Sequence, residues 1–395
     1  MDRERSDVRV IRKPNTKKSG SVFRAYDYSL LFLTVFLVGL GCVFVYSSSS
    51  YTASLSNITG FDGSYYLKRQ GIFGAFGILV MVLISRIDYK LYIKPFPKFR
   101  FRAVYLLYIL CVVLQILVFV PGLGTERGGA KRWILIPYIG TFQPSEITKI
   151  CVIVFVAFIA ALAPKALNYF GGFIRAFIYT LPFILLVGKE DLSTAVVITG
   201  IFFVICFVAS KKYVYFIVTV ALALGAIIAY IFLGESFRAD RIDAWMNVDT
   251  SAQAYQIRRG LYAISSGGFI GKGLGNGSMK LGYVPESHND MIFSIICEEL
   301  GVFGAISIIL LFILLLWRIL VVALNAPDLF GSLLSVGVFA HIALQVVMNI
   351  AVVTNSVPAT GIALPFISYG GTSLVLLLCE VGMVLSVSYR IENKE

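Results

Sequence analysis

The stretch VFGAISIILLFILLLW at residues 302–317 carries no charged side chain. It lies in an apolar run at 290–320, which is longer than the roughly 20 residues that an α-helix needs to cross a bilayer. Similar runs recur along the chain and predict an all-α polytopic membrane protein with about ten transmembrane helices. The predicted spans are 28–46, 70–86, 103–120, 145–163, 173–187, 192–210, 213–233, 290–320, 330–352 and 369–388. The break at Gly188–Asp191 is weak, so eight spans or a re-entrant segment stay open between 173 and 210.

The composition excludes most classes of water-soluble protein. Of the 395 residues, 58% are hydrophobic and only 14% are charged, whereas an ordinary globular chain is about half apolar and a quarter charged. A soluble enzyme, a disordered scaffold and a secreted disulfide-rich module are therefore excluded. The six cysteines all fall inside apolar runs and the chain has only two histidines, so neither a disulfide framework nor a zinc site is indicated.

The basic residues predict how the chain sits in the membrane. The net charge is +12, and the basic residues cluster before the first span and at 86–102. Because cytoplasmic flanks of membrane helices are rich in Lys and Arg, the tail 1–27 and the C-terminus 390–395 are predicted to be cytoplasmic, with a single transmembrane domain at 28–389. No basic helix accompanies a known nucleic-acid-binding module, so nucleic acid is not an expected partner.

The same orientation places three loops outside, at 49–69, 121–144 and 234–289. The last, between helices 7 and 8, is long, polar and basic, and it contains the glycine-rich stretch GKGLGNG at 271–277. That stretch lacks the spacing and the strand–helix context of a nucleotide-binding loop. Two interpretations stay open: a flexible linker, or a loop whose backbone approaches a ligand closely.

Asp290 ends the polar segment KLGYVPESHND at 280–290 and directly precedes an apolar helix. It is a good N-cap residue. Alternatively, it is a carboxylate at the lipid–water boundary that accepts a proton from a substrate hydroxyl. The helix dipole favours its ionised form, whereas partial burial would raise its pKa.

Two further segments place polar groups inside the membrane. Glu146 and Lys149 are three residues apart on one helical face, and Glu298 and Glu299 lie in the span after Asp290. Since charges in hydrocarbon are costly, they form ion pairs or line a polar cavity. The segment NSVPATGIALPFISYGGTS at 355–373 is rich in Gly and Pro. It is either an outer loop or backbone that lines a cavity at membrane depth.

Four motifs, taken in order, resemble the SEDS family of cell-wall proteins (shape, elongation, division and sporulation). They are GAKRWI at 129–134, FQPSEITK at 142–149, KLGYVPESHNDMIF at 280–293 with EELG at 298–301, and TGIALPFISYGGTSL at 360–374. The resemblance extends from about Tyr28 to Arg390. The stretch YYLKRQG at 65–71, Lys280 and the long basic tail are more similar to the FtsW and SpoVE branch than to RodA.

The chain departs from the family pattern at two places. His-Asn-Asp-Met at 288–291 stands where the family usually has His-Thr-Asp-Phe, and Pro-Ala-Thr-Gly at 358–361 replaces Pro-Val-Thr-Gly. The acidic residue of the first motif is kept as Asp290.

The resemblance implies a peptidoglycan glycosyltransferase that polymerises lipid II on the outer face of the cytoplasmic membrane, for septal or spore cell-wall synthesis. It also implies a class B penicillin-binding protein as transpeptidase partner, together with other divisome or sporulation wall-synthesis proteins. An elongation-type, RodA-like polymerase is an alternative.

In the implied inverting transfer, Asp290 is the base for the acceptor hydroxyl. Arg238, Arg241 and Lys280 are candidates to hold the departing pyrophosphate. The other candidate substrate-binding residues are Glu286, His288, Glu146, Lys149, Ser368 and Tyr369. A divalent cation such as Mg²⁺ stays open as a cofactor, but no ligand set is visible in the sequence and no metal ligand is assigned.

Two other functions compete with polymerisation. A flippase for the same lipid would use Glu146, Lys149 and Glu298 along a hydrated path through the whole bilayer. The polar residues concentrate at the outer side, which favours the polymerase. A non-catalytic scaffold would leave the polar segment at 234–290 without a role.

Overall fold

Long apolar helices dominate the computed structural model, which describes residues 26–95, 102–127, 130–136, 140–212, 225 and 243–391. The helices are α1 (Tyr28–Ser54), α2 (Tyr65–Arg86), α3 (Ala103–Leu117), α4 (Pro144–Leu162), α5 (Phe170–Glu190), α6 (Leu192–Ala209), α7 (Tyr255–Gly267), α8 (Ile292–Leu324), α9 (Leu329–Val353) and α10 (Gly371–Ser388). In these residues, eight helices are long and apolar enough to cross a membrane, and α3 is a shorter apolar helix. The polytopic fold is therefore confirmed, while the predicted span 213–233 lies outside the described residues, apart from residue 225.

The weak break between α5 and α6 separates two helices. Asp191 leaves the helical conformation, with ψ of 86°, and its side chain accepts a hydrogen bond from the Thr194 backbone N–H. It thus ends α5 and caps α6, since a carboxylate satisfies a free N–H of the first turn. The two helices then pack against each other, so both predicted spans exist as separate helices.

A small antiparallel sheet lies in the predicted outer loop 121–144, where only loop structure was expected. Its strands are β1 (Gly124–Arg127), β2 (Ala130–Ile136) and β3 (Gly140–Phe142), in the order β1-β2-β3. Arg132 of β2 forms an ion pair with Asp191 at 3.0 Å. The sheet is thereby fixed to the junction of α5 and α6.

The centre of the bundle is built on α9, which packs against α4, α6, α8 and α10, while α2 packs along α10. The α2–α10 contact depends on small residues. A Cβ atom at Gly77 would lie 2.5 Å from Leu378 Cδ1, and one at Gly382 would lie 2.8 Å from the Met81 carbonyl oxygen. Close backbone approach through glycine is a common way to join helices in a membrane, where the hydrophobic effect gives little attraction between them.

Candidate functional site

Asp290 lies just before α8, at the end of the bundle that the positive-inside rule assigns to the outer face. Its carboxylate accepts a hydrogen bond from Gln256 Nε2 at 3.2 Å, and its backbone carbonyl accepts one from Asn349 Nδ2 at 2.8 Å. The cap position of α8 is Met291, and no side chain caps the helix. The N-cap interpretation of Asp290 is therefore wrong, and its carboxylate is partly exposed.

The helix α7 brings Gln256 to Asp290. A Cβ atom at Gly260 would lie 2.2 Å from Met291 Cε, and one at Gly267 would lie 2.0 Å from the Cys297 carbonyl oxygen. These two glycines are two helical turns apart, so they share a face. Because that face carries no side chains at these points, α7 lies directly against the outer part of α8.

The environment of Asp290 makes it an unusually weak acid. Burial, together with the negative charge of Glu286, raises the pKa of this carboxyl to about 7. Hydrogen bonds from the backbone N–H groups of Asp290 and Met291 and from Gln256 oppose this rise. Desolvation thus outweighs the expected effect of the helix dipole. A carboxyl with a pKa near neutrality is suited to general base catalysis.

The Gly/Pro-rich segment after α9 forms the second wall of the site. The Tyr369 N–H donates to the His288 carbonyl at 2.9 Å, and the Ser368 hydroxyl donates to the Asn289 carbonyl at 2.7 Å. A Cβ atom at Gly361 would lie 3.8 Å from Asp290 Oδ2, and this glycine has φ of +68°. The segment therefore lines the space beside Asp290, as one of the two interpretations predicted.

An aromatic cluster borders this wall. The Tyr66 ring lies 4.4 Å from the His288 ring and 4.9 Å from the Tyr369 ring, between centroids. Burial lowers the pKa of His288, so the neutral imidazole is favoured. The structure thus brings His288, Ser368 and Tyr369, all three of them predicted site residues, together beside the backbone that leads into Asp290. Tyr66, Gln256 and Asn349 were not predicted.

Glu286 lies on the open side of the site. Its side chain is exposed, and it accepts a hydrogen bond from Asn289 Nδ2. It adopts a positive φ of 51°, which is uncommon for a residue with a side chain. Its charge acts on Asp290 through space, as the raised pKa of that residue indicates.

Lys280 lies away from the open side of the site. Its ammonium is buried, 2.6 Å from Glu299 Oε1 and 2.9 Å from the Ser47 hydroxyl. In this arrangement the positive charge of Lys280 is already neutralised by a buried carboxylate. Its assignment to the departing pyrophosphate stays a prediction that requires this pair to open.

The glycine-rich loop is ordered, so the flexible-linker interpretation is wrong. Gly301 interrupts α8 with φ of 66°. The carbonyls of Glu298 and Glu299 therefore do not accept hydrogen bonds from the N–H groups of Val302 and Phe303, as they would in a continuous helix. The loop fills both sides of this break. The N–H groups of Lys272 and Gly273 donate to the carbonyls of Glu298 and Glu299. The carbonyls of Gly268 and Phe269, just before the loop, accept from the N–H groups of Val302 and Phe303. These four bonds are 2.9–3.2 Å long.

The Glu298 side chain fixes the same loop from inside the bundle. Its carboxylate is fully buried and accepts hydrogen bonds from Lys272 Nζ at 2.6 Å, from the Ser278 N–H at 2.9 Å and from the Met279 N–H at 3.1 Å. The close backbone approach expected of these glycines is therefore made to α8.

Glu146 and Lys149 face one another, which confirms one of the alternatives for this pair. Their charged atoms are 2.8 Å apart, and Ser373 of α10 donates to Glu146 at 2.9 Å. Deeper in the bundle, the buried His341 Nδ1 lies 2.7 Å from Glu380 Oε2. Neither pair touches Asp290 directly.

Arg259 is a cation at the outer face that sequence reasoning did not single out. It follows Gln256 on α7 by three residues, and its guanidinium lies 5.1 Å from the Tyr255 ring centroid and 5.8 Å from that of Tyr283. Its Nε is buried without a hydrogen-bond partner in the described part of the chain. Arg238 and Arg241, the other predicted pyrophosphate ligands, lie outside the described residues.

Among the residues with described positions, no group of three or more His, Cys, Asp or Glu side chains is placed to hold a metal ion.

Comparison with known proteins agrees with this geometry. The profile of a family described as "Cell cycle protein", which covers FtsW, RodA and SpoVE, matches residues 28–393. Stage V sporulation protein E of Bacillus subtilis is 38% identical over 369 residues, which are 92% of this chain and 96% of that protein. A probable peptidoglycan glycosyltransferase FtsW of Trichlorobacter lovleyi is 36% identical over 387 residues, covering 96% of both chains.

Solved structures show the same architecture. A chain from a study of how a peptidoglycan synthase complex coordinates polymerization and crosslinking superposes with a TM-score of 0.76 at 27% identity. The rod shape determining protein RodA of Thermus thermophilus superposes with a TM-score of 0.66 at 26% identity. Each comparison covers 94% of this chain and 99% of the other.

Proposed function

The chain belongs to the FtsW/RodA/SpoVE family of cell cycle proteins, and we propose that it is a peptidoglycan glycosyltransferase that polymerises lipid II into glycan strands. The observation that carries the proposal is Asp290, a partly exposed carboxyl at the outer end of the bundle whose pKa is raised to about 7. The substrate is itself a membrane lipid, so a site at the edge of a polytopic bundle suits it.

Asp290 acts as the general base of an inverting transfer. Its carboxylate takes the proton of the acceptor sugar hydroxyl as that oxygen attacks the anomeric carbon of the donor. The bond between this carbon and the pyrophosphate oxygen breaks, and the pyrophosphate leaves on its undecaprenyl chain with the bonding electrons. Gln256 orients the carboxylate, and Asn349 holds the backbone on which it is mounted.

The departing pyrophosphate requires positive charge. Arg259 meets this requirement among the described residues, since its guanidinium is held against two tyrosine rings and its Nε has no partner there. Stabilisation of such developing charge is commonly the largest catalytic contribution. Arg238 and Arg241 are assigned the same role from the sequence alone. If a divalent cation such as Mg²⁺ takes part, it shares this role.

The remaining predicted residues bind or position the substrate. Glu286, His288 and Tyr369 surround the open side of Asp290, whereas Ser368 holds the second wall by its bond to Asn289. Glu146, paired with Lys149, accepts a hydrogen bond from Ser373, which follows the second wall at the start of α10.

The flippase alternative is disfavoured by where the buried ionisable side chains of α4, α9 and α10 end, since further inward their buried polar side chains are serine hydroxyls such as Ser335 and Ser386. Glu146, Lys149, His341 and Glu380 occupy the outer half and the middle of α4, α9 and α10. Towards the inner end, the buried side chains of α9 and α10 are mainly apolar, among them Leu334, Val338 and Val384. A polymerase needs only the outer cavity, whereas a flippase needs a polar path through the full bilayer.

A class B penicillin-binding protein is the proposed partner, and the bacterial cytoplasmic membrane, at the septum or the forming spore, is the proposed location. The likeness to a chain of a peptidoglycan synthase complex supports the partner. The identities to FtsW and SpoVE sequences support a division or sporulation role over an elongation role.

The test is lipid II polymerisation by purified protein with its transpeptidase partner, resolved on gels. Asparagine is nearly the same size as aspartate but cannot accept the proton, so Asp290→Asn should lower the rate about 10²–10⁴-fold. Asp62→Asn, in the outer loop between α1 and α2, is the matched control and should retain the wild-type rate. Polymerisation by Asp290→Asn near the wild-type rate would remove Asp290 from the chemistry and would make Glu286 the next candidate base.

A further inference from the structure

A line of buried polar atoms runs down one face of α9. His341, Gln345 and Asn349 follow one another at intervals of four residues and are at most 8% exposed. His341 Nε2, Gln345 Oε1 and Asn349 Oδ1 each lack a hydrogen-bond partner in the described part of the chain. Buried polar groups in native proteins are nearly always paired with protein or with ordered water. Three such atoms one helical turn apart therefore indicate a shared ligand.

The chemistry of these atoms specifies that ligand. Asn349 Nδ2 donates to the carbonyls of Asp290 and Ile362, so its Oδ1 is an acceptor. His341 Nδ1 lies 2.7 Å from the Glu380 carboxylate, and in the tautomer that donates from Nδ1 to this carboxylate, Nε2 is an acceptor as well. Together with Gln345 Oε1, the line consists of acceptors on side chains four residues apart, whose Cβ atoms are about 6 Å from one another on a helix. Because a hydrogen bond between oxygens is about 2.8 Å long, a row of hydrogen-bonded waters is needed to follow this line, each water donating one hydrogen to the next water and the other to a side-chain acceptor.

The two ends of the line join groups that exchange protons. At the outer end, Asn349 holds the backbone of Asp290, and the buried Thr360 hydroxyl, which also lacks a partner in the described residues, lies next to Gly361 beside the carboxylate. At the inner end, the line stops at His341 and Glu380, with the ion pair of Glu146 and Lys149 on the neighbouring α4.

We propose that ordered waters occupy this face of α9, here called the α9 water file, and carry the proton from Asp290 to His341 during glycosyl transfer. The proposal rests on the proposed function of Asp290. The sugar O–H bond breaks and its proton passes to the Asp290 carboxylate. Asp290 releases a proton to the first water, successive waters pass protons along, and the last water protonates His341 Nε2 beside Glu380. The proton returns along the file to the outer solution after each transfer, when the glycan shifts by one unit and uncovers Asp290.

The α9 water file would let Asp290 lose its proton while the glycan covers the site, which a polymerase requires. A growing glycan that stays in the site covers Asp290 from the outer solution, and the base must still lose its proton before the next transfer. A file that ends within the bundle stores this proton without conducting it across the membrane, since buried apolar side chains follow on the inner side.

The experiment compares polymerisation rates in H₂O and D₂O for the full-length protein with its partner. Gln345→Leu removes the central acceptor, and His341→Asn keeps a donor to Glu380 but removes the ring nitrogen Nε2. We expect each change to slow polymerisation about tenfold, equivalent to about 1.4 kcal/mol in the barrier, and to increase the solvent isotope effect. Ser335→Ala is the control, because among the described residues this buried hydroxyl bonds to the Gly331 carbonyl of its own helix alone, and its rate and isotope effect should match the wild type.

A wild-type rate in both α9 variants, or a lower rate with an unchanged isotope effect, would overturn the water file. Gln345→Leu places an apolar side chain in an apolar bundle, so it is expected to reach wild-type membrane levels. The Asp290→Asn rate separates the two proposals. If Asp290→Asn is inactive and the α9 variants behave as wild type, the file fails and the base remains; if Asp290→Asn is active, the proposed base itself fails.

Discussion

At the scale of single residues, the pKa of Asp290 is raised mainly by burial and is adjusted by two neighbours with opposite effects. The charge of Glu286 raises it, and the hydrogen bond from Gln256 lowers it. Since the base must be deprotonated to act, the polymerisation rate should rise with pH, pass its midpoint near pH 7 and level off above it. We expect Glu286→Gln to shift the midpoint to lower pH and Gln256→Leu to shift it to higher pH. Shifts in the same direction, or none, would contradict this assignment.

The same pKa affects stability. The folded protein binds the Asp290 proton more tightly than the unfolded chain, because its pKa rises from an ordinary 3.8 to about 7. This contribution is fully present below pH 4 and is lost as the pH rises through 7. Asp290→Asn should therefore match or exceed the wild type in thermal midpoint above pH 7, and lose that relative advantage towards pH 5. Thermal unfolding of the two proteins in detergent across this pH range provides the measurement.

At the scale of elements, the joint between the glycine-rich loop and α8 allows a matched comparison. Gly271 and Gly275 share a φ of +84°, but a Cβ atom at Gly271 would lie 2.2 Å from the Glu299 carbonyl oxygen, whereas one at Gly275 meets nothing within 4 Å. Gly275→Ala should cost only the strain of the left-handed conformation, about 1–2 kcal/mol. Gly271→Ala must also displace backbone, so its thermal midpoint should fall well below that of Gly275→Ala. Equal midpoints would mean that the loop can leave α8 without cost.

At the scale of the whole molecule, orientation in the membrane can be tested directly. Phe269 is highly exposed in the predicted outer loop, and Lys90 lies in the basic inner segment. An impermeant thiol reagent added to intact cells should label Phe269→Cys and spare Lys90→Cys. Labelling of Lys90→Cys in intact cells would reverse the assignment of the two faces.

Sequence alone predicts the spans well and the site only in part. Hydropathy is a local property, so nine of the ten predicted spans coincide with apolar helices in the described residues. The site depends on contacts between segments far apart in sequence, and hydropathy carries no signal for them. Gln256 reaches Asp290 because glycines at 260 and 267 bring α7 against α8. Lys280 was assigned to the outer surface because its pairing with Glu299 could not be read from the sequence.

The backbone hydrogen bonds between the glycine-rich loop and α8 at Gly301 restrict the motion of the loop. Glycine-rich outer loops usually open within microseconds, and their amides exchange hydrogen readily. Here the N–H groups at 272 and 273 belong to the ladder of α8, so they should exchange with deuterium about as slowly as the helix itself. The outer part of α8, the loop and the segment leading to Asp290 then open and close as one cooperative unit. The Asp290 carboxylate thus lies at the edge of a slowly exchanging block, and a labelling time course resolved to single amides would show its boundary.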